Sequence, residues 1–302
     1  MPPLTPGDSL LGESAGELFS PESHIVMMQP RPSDLPNFRN PPVNEVVLGV
    51  QFSEIKGFSS VHAGLFWGRI RGEFARFEEH GTLPETFELF GGLSGRDKST
   101  PSFELLNSPP VPRYWFINDD TRLLQVQQNK LFQNWRKTGP NVTYPHYEDI
   151  CRDFQSSVAK FEGFLRDEDL GELNCNQCEV SYINHIPVEP DEGYARAIDR
   201  VFGEWLNVSA SHEAIPEEMT FNLIYRLGPP SAPVGRLRVE MRCAYLQDET
   251  PILALNLTAR GQPFQSDKGG YLGFMSYARD VIVWRFTKIT SERMHHAWGR
   301  FQ

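Results

Sequence analysis

The fold is decided by residues 113–136, RYWFINDDTRLLQVQQNKLFQNWR. Apolar and aromatic residues fill three short runs, 113–117, 122–128 and 131–136. The residues between these runs, Asn118-Asp119-Asp120 and Asn129-Lys130, are typical of turns because Asn and Asp tolerate left-handed backbone. The stretch therefore predicts an antiparallel meander of three strands.

A long amphipathic helix is predicted directly after the meander, over residues 147–167. Its apolar positions recur every three or four residues, which is the period of one helix face. These positions are Ile150, Phe154, Val158, Phe161 and Leu165. This is the clearest helix signal in the chain.

A strand and a helix are predicted before the meander. Residues 45–53, EVVLGVQFS, are β-branched and apolar, as strands are. Ser59 or Ser60 can cap a helix whose inward face we expect to hold Val61, Leu65, Ile70, Phe74 and Phe77. Residues 81–112 are rich in Gly, Pro and Ser and predict a long connection, with a short helix around residues 85–90 and a mobile run over residues 90–98.

The same order of elements follows in the second half. Residues 179–187 predict a strand, and residues 191–206 predict a helix with Ile198, Val201, Phe202 and Trp205 on one face. Three more strands are predicted over residues 220–227, 235–246 and 252–260, then a long helix over 270–290 and a short one over 291–298. In residues 235–246, apolar residues alternate with polar ones, as in a half-buried antiparallel strand.

The recurring order predicts an α+β fold of two β-α-β-β-β-α repeats, with antiparallel sheet or sheets and helices packed on one face. The repeats are residues 41–170 and 171–302, the second with a short C-terminal helix. Residues 1–40 predict a disordered or loosely packed Pro-rich leader. One hypothesis is that the native start lies at Met27-Met28. The repeat rests on element order and not on residue identity, so one irregular α+β domain is the alternative. Two repeats can stack, or join edge to edge into a curved sheet of about eight strands with an open concave face.

Composition and charge limit the function classes. The 302 residues are 39% hydrophobic and 23% charged, as in ordinary globular proteins. The net charge of −10 argues against non-specific binding to nucleic acid or to an anionic membrane. The sequence contains no run of about 18 apolar residues and no secretory signal, and its four cysteines form no disulfide framework. We therefore expect a cytoplasmic protein without a membrane partner.

The predicted strands are rich in side-chain amides, which both donate and accept hydrogen bonds and suit a neutral polar ligand or a peptide edge. They are Gln51, Gln125, Gln127, Gln128, Gln133, Asn134, Asn184, Asn222 and Asn256, with Tyr114, Trp115, Trp135 and Tyr182 as possible stacking surfaces. From this set and its neighbours we predict a ligand-binding site at Gln127, Asn134, Arg136, Asn184 and His185. The simpler interpretation is that these are solvated positions on an ordinary open sheet face.

Four stretches of the sequence are similar to those of a protein family. They are residues 40–52 (NPPVNEVVLGVQF), 118–137 (NDDTRLLQVQQNKLFQNWRK), 144–147 (YPHY) and 289–300 (ITSERMHHAWGR). Together they resemble an uncharacterised, sporadically distributed bacterial family with PPxxEVxLGVQF, VQxxxFxxNWRK and YPxY motifs. The resemblance covers residues 40–300. It implies no catalytic residues, and its patchy distribution suits an accessory or defence-linked role.

Other motifs carry little chemistry. Cys175 and Cys178 form one CxxC; zinc would need Cys151, Cys243 and His185 to converge on it, and a redox role would need it to open a helix. His295 and His296 lie about 100° apart on a helix and do not readily share a metal. Lys268-Gly269-Gly270 could bind an anion at a helix N-terminus, but a plain turn is the simpler interpretation. The acid pairs Glu78-Glu79 and Asp119-Asp120 could act in acid–base chemistry, but a solvated helix face and a turn are the simpler interpretations. His62, Glu73 and His80, predicted along one helix, and the strand residue His185 are most simply structural. We predict no metal, no cofactor and no known catalytic motif.

Three functions remain open. The first is a partner- or ligand-binding accessory protein, antitoxin-like or defence-linked, with a protein or a small polar molecule as its partner. The second is an enzyme of unrecognised type that acts on a small polar ligand in a cleft of the sheet face. The third, a nucleic-acid-binding saddle, requires that arginines and Lys137 gather on one face. These are Arg113, Arg122, Arg136, Arg236, Arg238 and Arg242.

Overall fold

The structure is a computed structural model that describes residues 35–90, 111–206, 216–264 and 270–301. Within these ranges, nine strands form one antiparallel sheet in the order β2-β3-β4-β5-β1-β6-β9-β8-β7. The strands are β1 (Val43–Phe52), β2 (Arg76–His80), β3 (Arg113–Asn118), β4 (Arg122–Gln127), β5 (Lys130–Arg136), β6 (Cys175–Pro187), β7 (Thr220–Leu227), β8 (Gly235–Tyr245) and β9 (Pro251–Gly261). The α+β class and the antiparallel sheet are confirmed.

Five α-helices complete the described ranges. They are α1 (Ser60–Ile70), α2 (Tyr147–Asp167), α3 (Gly193–Phe202), α4 (Gly270–Ile289) and α5 (Glu292–Ala297), and a 3-10 turn (Gly203–Trp205) follows α3. Of these helices, none is long and apolar enough to cross a membrane.

The centre of the sheet is the antiparallel pair β1–β6. On one side of it lie the strands that precede residue 137, and on the other side lie the strands that follow residue 174. Val46 pairs with Tyr182, Leu48 with Val180 and Val50 with Cys178. The two halves of the chain therefore join edge to edge, and the stacked arrangement is wrong.

Alternate residues of the strands point to opposite sides of the sheet, because side chains alternate along a strand. One side, which we call the core face, carries apolar residues that share one hydrophobic cluster with residues from all five helices. Its members include Leu48, Leu124, Leu131, Val180, Val239 and Leu255 from strands and Phe66, Phe161, Val201, Phe274 and Met294 from helices. We call the opposite side the polar face.

Most element predictions are confirmed. Helix α2 has the predicted bounds, and all five of its predicted inward residues are buried. Strand β7 also has the predicted bounds, and the other predicted strands occur with ends shifted by a few residues. Periodic patterns locate these elements well because each has one face in the core.

The first helix was predicted with the wrong face and the wrong end. Val61 and Leu65 are 70% and 48% exposed, while Ala63, Phe66 and Ile70 are buried. Phe66 fits the core because it packs edge-on against Phe116 and Phe161. The helix ends at Ile70, and after a turn Arg76–His80 form β2, a strand that the sequence did not predict.

The short helix predicted around residues 85–90 is also wrong, since residues 81–90 contain no helix or strand. The physical reason is that this segment crosses several strands of the sheet, a distance that a helix of the same number of residues is too short to cover. The predicted mobile run beyond residue 90, the Lys268-Gly269 pair and the Met27-Met28 pair lie outside the described residues.

The end of the predicted leader, residues 35–40, lies against the C-terminus. Leu35 and Phe38 are buried, and Phe38 packs edge-on against Phe286 and Trp298. The backbone N–H of Arg39 donates to the carbonyl oxygen of Gly299 at 3.2 Å.

A close backbone approach at Gly261 gives a stability prediction. Gly261 pairs with Gly235, and a Cβ added at Gly261 would lie 2.2 Å from the carbonyl oxygen of Val234 and 2.4 Å from the buried ring of Phe274. We expect Gly261→Ala to lower the free energy of unfolding by about 1–3 kcal/mol because the packed ring and backbone must move. Urea denaturation followed by circular dichroism measures this change.

The matched control is Gly68→Ala in α1. A Cβ there meets nothing within 4 Å, so removal of a helical glycine should stabilise by about 0.5–1 kcal/mol. Equal effects of the two substitutions would contradict the close packing at Gly261.

Candidate functional site

The polar face forms the candidate site. Strand pairing brings its residues side by side: Gln127 and Gln51 each lie opposite Lys130 on neighbouring strands, and Gln51 also lies opposite Gln177. Gln51, Gln127 and Lys130 are each only 4% exposed. Because they point away from the core, something else must cover them.

The cover is a segment of the same chain, residues 81–90, which we call the strap. The side chain of Gln127 accepts a hydrogen bond from the backbone N–H of Leu83 at 3.0 Å and donates one to the Leu83 carbonyl oxygen at 3.0 Å. The Lys130 ammonium donates to the carbonyl oxygen of Pro84. Gln51 accepts from the backbone N–H of Thr86 at 2.9 Å. Side chains of the sheet therefore satisfy the backbone of the strap.

The strap crosses the strands in a nearly extended form. It contacts β4 through Leu83 and β8 through Leu89, and five strand steps separate β4 from β8. At about 4.8 Å a step this distance is about 24 Å, whereas six extended residues span about 20–22 Å. The long side chain of Arg236 covers the remainder. Six helical residues would span only about 9 Å, which explains why the predicted helix does not form.

A cage of arginines holds the carboxylate of Glu88 at the far end of the strap. Arg236 Nη1 lies 2.6 Å from Glu88 Oε2, Arg238 bonds Oε1, and Arg260 Nη1 lies 3.7 Å from Oε1. The Glu88 side chain is 1% exposed. Burial alone would raise the pKa of Glu88, but hydrogen bonds from Arg238 and Arg236 outweigh it, so the pKa is lowered. The carboxylate is therefore held in its charged form.

Further contacts fix the strap on either side of Glu88. Arg236 donates through Nη2 to the carbonyl oxygen of Leu89 at 2.7 Å, and its guanidinium carbon lies 4.4 Å from the centre of the Phe90 ring. Arg260 also bonds Glu179, with Nε 2.7 Å from Oε2. One residue, Arg236, thus binds a side chain, a backbone carbonyl and an aromatic ring of the strap.

Two of the predicted site residues, Gln127 and Asn134, lie on neighbouring strands of the polar face. Asn134 belongs to a row of hydrogen bonds across β3, β4, β5 and β1: Arg113 donates to Gln125 at 3.1 Å, Gln125 to Asn134 at 2.7 Å and Asn134 to Glu45 at 2.6 Å. This row binds side chains to one another, whereas Gln127 binds the strap.

The other predicted residues are more scattered. Arg136 lies at the end of β5 and donates to the carbonyl oxygen of Asp120 at 3.2 Å. His185 lies on the polar face between β1 and β9, and burial, with a smaller effect of Arg242, lowers its pKa. Asn184 lies on the core face, where its Nδ2 donates to the carbonyl oxygen of Leu255 at 2.9 Å. The structure therefore does not bring Asn184 together with Gln127 and Asn134.

The other predicted amides and aromatic residues also divide between the faces. Gln51, Gln125, Asn222, Asn256 and Trp115 lie on the polar face, whereas Gln133, Tyr114, Trp135 and Tyr182 lie on the core face. Gln128, at the end of β4, donates to the carbonyl oxygen of Phe58 at 3.3 Å. Trp115 does stack, but its partner is His80, with ring centres 3.9 Å apart.

Asn184 lines a separate cavity of about 60 Å³ on the core face. Tyr144 and Tyr182 meet there with their hydroxyl oxygens 3.3 Å apart, and the guanidinium of Arg279 is buried beside them. Arg279 already donates to Asp280 at 3.0 Å.

The sequence did not predict three residues of the site, which are Glu88, Lys130 and Arg260. Lys130 was assigned to a turn, but it lies in β5, and burial lowers its pKa. Arg260 lies on the polar face of β9, and the alternation of apolar and polar residues along this strand indicates that position from the sequence. No local sequence pattern indicates Glu88, because its partners Arg236 and Arg238 are some 150 residues away along the chain.

The remaining motifs take structural places. The pair Asp119-Asp120 forms the predicted turn, with φ of 46° and 59°, while Glu78 and Glu79 point to opposite faces of β2. His295 is buried and its Nε2 lies 2.8 Å from Thr290 Oγ1. In the described ranges, no group of three or more His, Cys, Asp or Glu residues could hold a metal ion.

The CxxC lies at the start of strand β6 and does not open a helix, with Cys175 opposite Phe52 and Cys178 opposite Val50 on the core side. Both thiols are free. Burial raises the pKa of Cys175 to about 12 and raises that of Cys178 as well.

Comparison of this chain with protein-family models, with curated proteins and with solved structures finds no match.

The strap contact should depend on pH. The lowered pKa of Glu88 means that its carboxylate stabilises the folded state fully above about pH 5 and that this contribution is lost as the pH falls through the lowered folded-state pKa. Glu88→Gln should therefore lower the free energy of unfolding at pH 7 by at most about 3–5 kcal/mol, which is the cost of removing one partner of a buried ion pair. Its cost should shrink below pH 4. Urea denaturation of both proteins from pH 3 to pH 8 measures this difference.

Glu85→Gln is the matched control, because Glu85 lies on the same strap with an exposed side chain. We expect it to change the free energy of unfolding by less than about 0.5 kcal/mol at any pH. A pH-independent effect of Glu88→Gln would contradict the charged cage.

The two thiols of the CxxC should react slowly. The thiolate is the reactive form, so raised pKa values protect Cys175 and Cys178 at pH 8. We expect iodoacetamide to modify both at least about tenfold more slowly in the folded protein than in urea, where the pKa returns to about 8.5. Mass spectrometry of the peptides that contain these residues measures the rates, and equal rates in the two states would contradict the burial.

Proposed function

We propose that this protein is a partner-binding protein that holds an extended polypeptide segment across its polar face. The observation that carries the proposal is the strap itself, whose backbone is bound by side chains of Gln127, Lys130 and Gln51. A surface that binds an extended segment of its own chain has the chemistry to bind one from a partner.

The amide side chains explain how such a surface recognises a backbone. A glutamine carries a donor and an acceptor, as a peptide group does, and Gln127 uses both on Leu83. Backbone recognition of this kind depends little on the side chains of the bound segment. Accordingly, Phe87 and Leu89 of the strap point outward, 45% and 61% exposed.

The position of the strap in the chain supports its role as an internal occupant. Strands β2 and β3 are neighbours, and His80 pairs with Arg113. A two-residue turn could connect them, yet the chain departs over residues 81–112. Connections longer than about 12–15 residues are uncommon and usually functional. Chain connectivity therefore does not require the strap.

The enzyme alternative receives less support. It predicted a deep pocket on the sheet face, whereas the strap covers the polar face over β4, β5 and β1. The space between the strap, Lys130 and Arg260 is a cavity of about 10 Å³, which is room for about one water molecule. A small substrate could enter only if the strap left.

The nucleic-acid alternative also receives less support. The polar face does carry Arg113, Arg136, Arg236, Arg238 and Arg242. Arg236 and Arg238, however, bind Glu88, and Arg122 lies on the core face bonded to Asp153 at 3.0 Å. With a net charge of −10, the whole protein repels a polyanion.

We also propose that the fold consists of two repeats and that the protein belongs to the bacterial family that its sequence resembles. The spatial order β3-β4-β5-β1 has a counterpart in β7-β8-β9-β6, which supports two β-α-β-β-β-α copies that each place their helices on the core face. The resemblance to a sporadically distributed bacterial family supports a defence-linked accessory role in the cytoplasm.

Excision of the strap tests the proposal. Residues 81–112 are replaced by Asn-Gly, and the variant is titrated with a fluorescein-labelled peptide of residues 81–90, GTLPETFELF, in fluorescence anisotropy. We expect the variant to bind the peptide at least tenfold more tightly than the full chain does, because a tethered strap competes at an effective concentration of about millimolar.

Two controls make the result interpretable. Circular dichroism must show that the excised variant retains its sheet, and Gln127→Ala in that variant should weaken peptide binding, since it removes both hydrogen bonds to Leu83. A folded, excised variant that binds no peptide would overturn the proposed function.

A further inference from the structure

We propose that Arg236, Arg238 and Arg260 form a carboxylate-binding subsite that selects partner segments with the pattern Glu-x-aromatic, and that Glu88 and Phe90 of the strap occupy this subsite in the free protein. This inference rests on the proposed function and adds the chemical class of the ligand to it.

The arginines are arranged so that they need an anion. Arg236 and Arg260 lie directly opposite each other on β8 and β9, and Arg238 lies two residues further along β8 on the same face. Like charges opposite each other across strands destabilise a sheet. Glu179 bonds Arg260, and Glu88 contacts all three arginines. When the strap leaves, the cage loses the anion that bridges it.

The ligand must present its carboxylate at a fixed position. Gln51 holds the backbone N–H of Thr86, two residues before Glu88, and Arg236 holds the carbonyl oxygen of Leu89, one residue after it. A partner segment bound through the same backbone contacts places one side chain in the cage. That side chain must reach as far as glutamate does, because the Glu88 carboxylate contacts arginines from two strands.

The second position of the pattern comes from Phe90. Its ring lies 4.4 Å from the guanidinium carbon of Arg236, which is a distance for cation–π attraction. Leu89, between the two, is 61% exposed, and its carbonyl oxygen accepts a hydrogen bond from Arg236. The subsite thus specifies an acid and an aromatic ring and leaves the residue between them free.

A carboxylate fits this cage better than a phosphate group. Glu179 lies beside Arg260 and Glu88, and its negative charge would repel a dianion more strongly than a single carboxylate. Arg236 donates to Oε2 of Glu88, whereas Arg238 donates to Oε1 and, at 3.3 Å, to Oε2 as well. The two oxygens of a carboxylate therefore satisfy both arginines.

The test compares peptides on the strap-excised protein. The peptide of residues 81–90 is titrated beside versions that carry Glu88→Gln or Phe90→Ala. We expect the Gln peptide to bind at least tenfold more weakly, because a neutral amide does not bridge the three arginines as the carboxylate does. We expect the Ala peptide to bind about two- to fivefold more weakly, as for loss of one partly exposed cation–π contact.

The matching protein variant is Arg238→Gln in the excised background. It should weaken binding of the Glu peptide about tenfold and change binding of the Gln peptide by less than about twofold, since the two substitutions remove the same contact. The same peptide with phosphoserine in place of Glu88 serves as the phosphate probe, because a phosphate monoester carries about two negative charges at pH 7. It should bind more weakly than the Glu peptide.

The outcomes separate the two proposals. Equal binding of the Glu and Gln peptides would overturn the carboxylate subsite and leave the proposed function standing. Tighter binding of the phosphoserine peptide would overturn it in favour of a phosphate ligand. Failure of every peptide to bind would overturn the proposed function itself.

A second variant serves if excision prevents folding. In the full chain, Glu88→Lys sets a cation against three arginines and should expel the strap. This variant should bind the Glu peptide more tightly than the wild-type chain does and should retain its preference for Glu over Gln. Absence of that preference would again overturn the subsite.

Discussion

The antiparallel pairing of β1 with β6 is the constraint on which the rest of the structure depends. It joins the two halves of the chain into one sheet, and its register decides which residues of every other strand face the core. A slip by one residue would exchange the two faces, because side chains alternate along a strand. Val46, Leu48 and Val50 would then leave the core, and Gln51 would enter it. The apolar residues of β1 and β6 thereby also fix the position of the polar groups opposite the strap.

A buried polar face is costly unless each of its groups finds a partner. Two arrangements supply such partners on the polar face. Along β3, β4, β5 and β1, side chains bond one another in the row that includes Gln125 and Asn134. Around Gln51, Gln127 and Lys130, the partners are backbone groups of the strap. The second arrangement is exchangeable, because any extended backbone offers the same donors and acceptors.

The sequence predicted the parts of this fold that repeat with a regular period. Helix α2 was correct throughout because its apolar residues keep a strict helical spacing over 21 residues. The same reasoning could have separated Asn184 from His185, since neighbours in a strand cannot share a face. Strand β2 was missed because Arg76–His80 is exposed and polar, without an apolar face to give it a pattern. In α1, Val61 and Leu65 fitted a helical spacing, but Phe66 was the better core residue.

The site was harder to predict than the fold because its contacts cross the whole chain. Gln51, Gln127 and the amide-rich face were accessible from composition and alternation. The meeting of Glu88 with Arg236 and Arg238 joins residues some 150 positions apart and depends on the strand order at the sheet centre. The strap also had a misleading local signal, since a short polar and apolar run resembles a helix turn. Only the distance across the sheet requires it to be extended.

Under the proposed function, the covered face also limits which partners this protein can accept. A tethered strap competes with every external segment, so a partner must replace the backbone contacts and the Glu88 cage together. A segment that satisfied only the backbone would leave three arginines close to one another without their bridging anion. A segment with a carboxylate but no extended backbone would leave Gln51, Gln127 and Lys130 without the backbone groups that they bind in the strap. Binding should therefore require both features in one segment, and the internal strap is the part of the sequence that already has both.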